Sequence, residues 1–170
     1  MSKLDSLLAK AKTSNFYLKI LNIALNSAIP FNKPHGFKVV AVGDAHLKTK
    51  LPYKRRNFNH IKGLHACALA TLSEFTTGLL LASKLDAKAY RLILKTLEME
   101  YHYQGKMEAF AFYEITDKEL NEKVVTPLQR QDAIIITCEV KIHDKNGNHL
   151  STGHVHWQIK AWKKVKTKVN

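Results

Sequence analysis

The stretch LHACALATLSEFTTGLLLA, Leu64 to Ala82, decides how this chain folds. Apart from His65 and Glu74 it holds only apolar and small residues, and at helical spacing they lie on every side. A helix that is apolar all round has to be covered on most of its circumference. Its length also suits a membrane span. Glu74 near the middle, and dilution by Thr71, Ser73, Thr76, Thr77 and Gly78, argue against that, and no comparable second stretch exists. The better reading is a central helix wrapped by a curved sheet, with no membrane span.

The flanks supply that sheet. Residues 89–103, 107–115, 131–143 and 149–163 read as four consecutive antiparallel strands. The last two are clearest: Ile136, Cys138, Val140 and Ile142 alternate with polar residues, as do Val155, Trp157 and Ile159. Lys145-Asn146-Gly147-Asn148 between them is hairpin-turn chemistry, and Gln104-Gly105-Lys106 is a similar turn between the preceding pair. Residues 37–50, with Val39, Val40 and Val42, read as one further strand. Upstream, 3–12 and 15–28 have helical spacing, the second ended by Pro30. The predicted fold class is α+β: an antiparallel sheet around a long central helix, with N-terminal helices.

At 170 residues, 45% hydrophobic and 24% charged, the chain is expected to form one folded domain over 1–170. Residues 1–30 are a helical extension, 31–163 the core and 164–170 a basic tail. The first residues carry no apolar run or cleavage site of a secretory signal. Cys67 and Cys138 are isolated, so neither a disulfide framework nor a zinc site is expected, and a reducing, cytoplasmic setting follows. The formal charge of +13 is unusual. One cluster is Lys160, Lys163, Lys164, Lys166 and Lys168; another is Lys48, Lys50, Lys54, Arg55, Arg56 and Lys62. Such clusters attract phosphates or simply solubilise a surface. No nucleic-acid-binding motif accompanies them, so nucleic acid is not expected as a partner.

The chemistry concentrates in Asn59–Glu74. The residues after Gly63 open the helix, so their N–H groups lack intrahelical partners and suit an oxygen gaining negative charge. Glu74 is the only carboxylate between Gly63 and Lys84. A carboxylate in an apolar helix costs free energy unless paired, and its pKa should be perturbed. It stands nine residues beyond His65, about 13 Å along the axis and on roughly the opposite face. One copy cannot bring both to one reacting atom. Two such helices antiparallel about a two-fold can, which predicts a composite site in a dimer or tetramer.

Asn59, His65 and Glu74, spaced by six and nine residues, resemble the signature of the PaaI-like hotdog acyl-CoA thioesterases. The element order is similar over roughly residues 30–163. The His-Ala-x-Ala-Leu run with Glu looks closer to a poorly characterised branch of that superfamily. In the family pattern a Gly-Gly pair follows the His; Ala66 and Cys67 stand there instead, keeping the amides while narrowing the approach.

The resemblance implies a hotdog fold and hydrolysis of an acyl-CoA or acyl-carrier-protein thioester, with coenzyme A as part of the substrate and no separate cofactor. Glu74 acts as general base or nucleophile, with the Ala66 backbone N–H at the carbonyl and Asn59 or His65 assisting. Lys54, Arg55, Arg56 and Lys62 are expected to attract the phosphates, and Gly63, Cys67 and Thr77 to line the substrate. Several of these have a plainer reading. His65 suits a structural helix start, Cys67 a small buried thiol, and Thr77 a bond to its own helix backbone. His154 and His156 lack further metal ligands and read as an exposed strand face; no metal is expected. The alternative function is a non-catalytic acyl or acyl-CoA binding protein.

Overall fold

The computed structural model describes residues 3–165, leaving Lys166 and Lys168 of the basic tail outside the described residues. Helices α1 (Lys3–Ala11), α2 (Asn15–Ala28) and the short α3 (Asn32–His35) come first. Ser14 caps α2 by accepting from the Tyr17 N–H, and α2 ends ahead of Pro30. Asn22 of α2 locks onto the sheet: its carboxamide accepts from the Val39 N–H at 2.7 Å and donates to the Val39 carbonyl at 2.9 Å.

The stretch 37–50 is two strands, not one. β1 (Lys38–Val42) and β2 (His46–Leu51) form an antiparallel hairpin that reverses through Gly43-Asp44-Ala45. After a basic loop comes α4 (Ala66–Lys84), then β3 (Tyr90–Tyr101), β4 (Ala109–Glu114), β5 (Ala133–Asp144) and β6 (His149–Ala161). One six-stranded sheet runs in the order β1-β2-β4-β5-β6-β3. Every pairing in it is antiparallel.

The Asn-Gly turn joins β5 and β6 as the sequence predicts, with the Asp144 carboxylate accepting from the N–H groups of Asn146 and Asn148. Gln104-Gly105-Lys106 does not make a hairpin. The His102 and Tyr103 amides donate to Leu150 and the Gly105 carbonyl accepts from the Leu64 amide. Those bonds carry the chain across the end of α4, leaving β3 at one edge and β4 inside the sheet. The segment between β4 and β5, which the predicted strands leave unassigned, is helical. Residues Asp117–Leu120 (α5) continue through a π turn at Asn121–Val125 into Thr126–Leu128 (α6), started by a capping box between Thr116 and Glu119.

α4 packs against β2, β3, β4, β5 and β6. It is long and apolar enough to cross a membrane, yet most of it is buried inside the molecule. Leu72, Phe75, Leu79, Leu80 and Leu81 join the core. The Thr76 and Thr49 hydroxyls share a buried 2.6 Å hydrogen bond that ties α4 to β2. Within this chain α1, packed on both α2 and α4, supplies part of the remaining cover of α4.

Candidate active site

The approach to α4 is a tight turn organised by Asn59. Its Oδ1 accepts from the N–H groups of Ile61 at 3.1 Å and Gly63 at 2.9 Å, while its own N–H donates to the Gly63 carbonyl. The turn holds Lys62 at φ 59°, a left-handed conformation uncommon for lysine, and its carbonyl accepts from the Tyr53 hydroxyl. Gly63 is buried against Gln104: a Cβ there would stand 2.8 Å from Gln104 Cγ, so a larger residue would displace that side chain.

His65 caps α4. Its Nδ1 accepts from the Cys67 N–H at 3.1 Å, which leaves Nε2 as the ring nitrogen free to donate. The Ala68 and Leu69 amides bond back to the His65 carbonyl. Among the described residues the Ala66 N–H has no acceptor, which leaves it as the open donor of the first turn. Cys67 is exposed.

The expected residues separate into three places. His65, Cys67 and Arg56 line a cavity of about 280 Å³ with His35, Asn57 and Thr71. Asn59 and Ala66 line a second, of about 330 Å³, together with Tyr101, whose hydroxyl donates to the Ala66 carbonyl. Glu74 faces neither. It lies on the wall of a third, mostly apolar cavity of about 540 Å³ between α4, the N-terminal helices and Trp157. Burial there pushes the Glu74 carboxyl above its usual range. One copy therefore keeps Glu74 apart from the α4 N-terminus, as the helical spacing requires.

Thr77 takes the backbone role. Buried, its hydroxyl donates to the Ser73 and Glu74 carbonyls and accepts from Trp157 Nε1 at 3.0 Å. Of the basic residues, Arg56 donates to the Pro34 carbonyl at 2.8 Å and lines the cavity beside His65, while Lys54, Arg55 and Lys62 are exposed. His156 bonds Thr137 on the exposed sheet face, and no group of three metal-ligating side chains occurs among the described residues. Sequence reasoning missed Tyr101 and Trp157 as neighbours of the site. Each reaches α4 from a strand remote in sequence, so no local spacing marks it.

A long helix lying across a six-stranded antiparallel sheet of this order is the hotdog fold, and solved structures agree. A Pseudomonas aeruginosa protein of unknown function, named a probable thioesterase, superimposes with a TM-score of 0.77 at 17% identity, over 84% of this chain and 95% of that one. A Haemophilus influenzae thioesterase matches at 0.68 and 13% identity, covering 89% and 95%. A mutant of a Staphylococcus aureus thioesterase enzyme matches at 0.62 and 14%, covering 77% and 98%. No curated protein matches the sequence significantly. The model of the family described as Domain of unknown function (DUF4442) matches residues 18–159, and the chain belongs to that family.

Proposed function

We infer that this chain is a thioester hydrolase acting on an acyl-CoA or acyl-carrier-protein substrate, at a site shared between two copies. The observation that carries the reading is Glu74: a lone carboxylate, raised in pKa by burial, on the wall of an apolar cavity. The thioesterases among the solved structures of this fold, and the PaaI-like spacing of Asn59, His65 and Glu74, support the same reaction.

In this reading the substrate carbonyl oxygen lies at the Ala66 N–H of one copy, where the α4 dipole favours developing negative charge. Glu74 of the other copy removes a proton from water as it attacks the carbonyl carbon, or attacks that carbon itself to give an anhydride that water then opens. Either route breaks the C–S bond and releases a thiol and a carboxylic acid. Exposed Lys54, Arg55, Arg56 and Lys62 draw in the phosphates of coenzyme A, and Arg56 also lines the cavity beside His65.

The dimer is supported by the sheet edge. β3 is a twelve-residue strand at the end of the sheet, with no partner on its outer side among the described residues. Its core-side residues include Leu94 and Tyr101, 37% and 49% exposed. A long unpaired edge with exposed apolar residues on its core side is a template for another strand, and a second copy of β3 closes it without leaving an open edge there.

A binding-only reading has one observation in its favour. His65 occupies the Cys67 N–H, so the helix start offers one open amide rather than two. Free-thiol release across a panel of acyl-CoAs separates the readings. Hydrolysis that falls at least about 10²-fold in Glu74→Gln supports the enzyme. A stable Glu74→Gln protein with parental turnover would falsify the role of Glu74, and acyl-CoA binding without turnover would establish the binder.

A further inference from the structure

The N-terminal helices build something that cleavage of a thioester does not by itself require. On α4 the wall of the 540 Å³ cavity is Glu74, Phe75, Gly78, Leu79 and Ala82. These share one helical face over eight residues, about 12 Å. Leu4 and Leu7 of α1 and Ala24, Leu25 and Ala28 of α2 form the opposite side, and Trp157 closes the flank. We propose that this cavity holds the acyl chain of the substrate, that α1 and α2 are its roof, and that the chain is of medium length with an uncharged head. The proposal rests on Glu74 as the reacting carboxylate.

Size excludes a packing defect. Protein interiors hold few voids larger than a water molecule, and this volume falls within the range of small-molecule sites. Polarity selects the occupant. Glu74 and Asn32 are the polar lining residues, so the fitting ligand is an apolar chain with a polar group at one end. Glu74 is the first α4 residue of the lining, which puts that polar end beside it.

Charge then discriminates among such ligands. An ionised Glu74 repels a fatty acid carboxylate in a low-dielectric wall, whereas a thioester carries no charge at its head. The same repulsion expels the acid once it has formed. Length follows from the far end. An extended chain advances about 1.2 Å per bond, so 12 Å accommodates roughly ten bonds. Beyond Leu4 and Ala82 a neighbouring cavity of about 640 Å³ begins, and Lys84, Asp86 and Lys88 bring charge into a wall that is otherwise largely apolar. A longer chain would have to run into those charges.

Non-hydrolysable S-alkyl-CoA thioethers from butyl to hexadecyl, titrated by calorimetry, test this without turnover. Affinity should tighten by up to about fourfold per methylene and level off near ten carbons. Ala82→Phe and Ala24→Phe, which fill opposite walls, should each bring the plateau to a shorter chain, and Leu79→Ala should extend it. Decanoate should bind Glu74→Gln more tightly than the parent. Thermal melts check each variant, and either filling variant alone suffices. Affinity independent of chain length, or a plateau unmoved in the folded filling variants, overturns the proposal. A rising ladder in a protein that releases no thiol supports the cavity and removes the hydrolase reading. Thiol release with a flat ladder removes the cavity alone.

Discussion

Gly78→Ala is informative because two effects of opposite sign meet there. In an exposed helix the change would stabilise by about 1 kcal/mol. Here a Cβ would stand 2.6 Å from Trp157 Cζ2 and 2.8 Å from Cη2, well inside contact distance. Those atoms belong to an indole whose Nε1 is tethered to Thr77 Oγ1 at 3.0 Å, so the ring cannot withdraw without losing a buried hydrogen bond. Overpacking of this kind costs roughly 1–3 kcal/mol, and the lost bond about 1 more. Overpacking wins, by a net ~1–3 kcal/mol. At about 2–4 °C per kcal/mol for a chain of this size, the melting temperature should fall by roughly 2–12 °C. Trp157→Phe removes the clashing atoms, so Gly78→Ala should cost nothing further on that background. The four-protein cycle, melted by circular dichroism, measures that coupling. A Gly78→Ala protein more stable than its parent would show that Trp157 does not press on α4, and the cavity wall would have to be redrawn.

Further outcomes follow from the same geometry. Leu94→Lys puts a charge on the core side of the β3 edge; light scattering at micromolar concentration should show a dimer or larger for the parent and a monomer for the variant, and a monomeric parent would undo the shared site. Arg55→Ala with Arg56→Ala should raise KM at low salt and leave kcat nearly intact, and an unchanged KM would return the cluster to plain surface. The rings of His102 and His143 lie 4.5 and 5.0 Å from that of His149. Burial, then those neighbours, with Lys141 also facing it, hold the His149 imidazole below its ordinary 6.5. The unfolded chain therefore takes up that proton first, so stability should decline as the pH falls below about 6.5, less steeply in His149→Asn. A pH–melting curve identical to the parent's would dismiss the cluster.

Much of the fold was legible because local pattern and tertiary need agree. The all-round apolarity of 64–82 announces a covered helix, and the alternation through Ile136–Ile142 and Val155–Ile159, across an Asn-Gly turn, announces a hairpin. Reading failed where one pattern had two solutions. Residues 37–50 alternate well enough for one long strand, and only Gly43-Asp44-Ala45 marks the reversal. Gln104-Gly105-Lys106 has turn chemistry, but bonds to Leu64 and Leu150, remote in sequence, decide where it leads. The helical stretch after β4 did carry a signal, since Thr116-Asp117-Lys118-Glu119 has capping-box spacing. For the site, spacing separates Glu74 from the helix start. It says nothing of Tyr101 and Trp157, nor that residues of α1 and α2 would line the cavity before Glu74.

A site shared between two copies makes a prediction that no single-copy site shares. Glu74→Gln removes the base and keeps the Ala66 amide. Ala66→Pro removes that N–H while keeping the base, at a first helical position where proline is tolerated and after a residue already extended, His65 at φ −67° and ψ 138°. Each variant alone should be nearly inactive. Unfolded together in equal amounts and refolded, half of the dimers should be mixed, and each of those has one intact site and one doubly defective one. Thiol release should then recover to about a quarter of the parental rate. A mixture as inactive as its two components, with mixed dimers shown to have formed, would contradict the shared site.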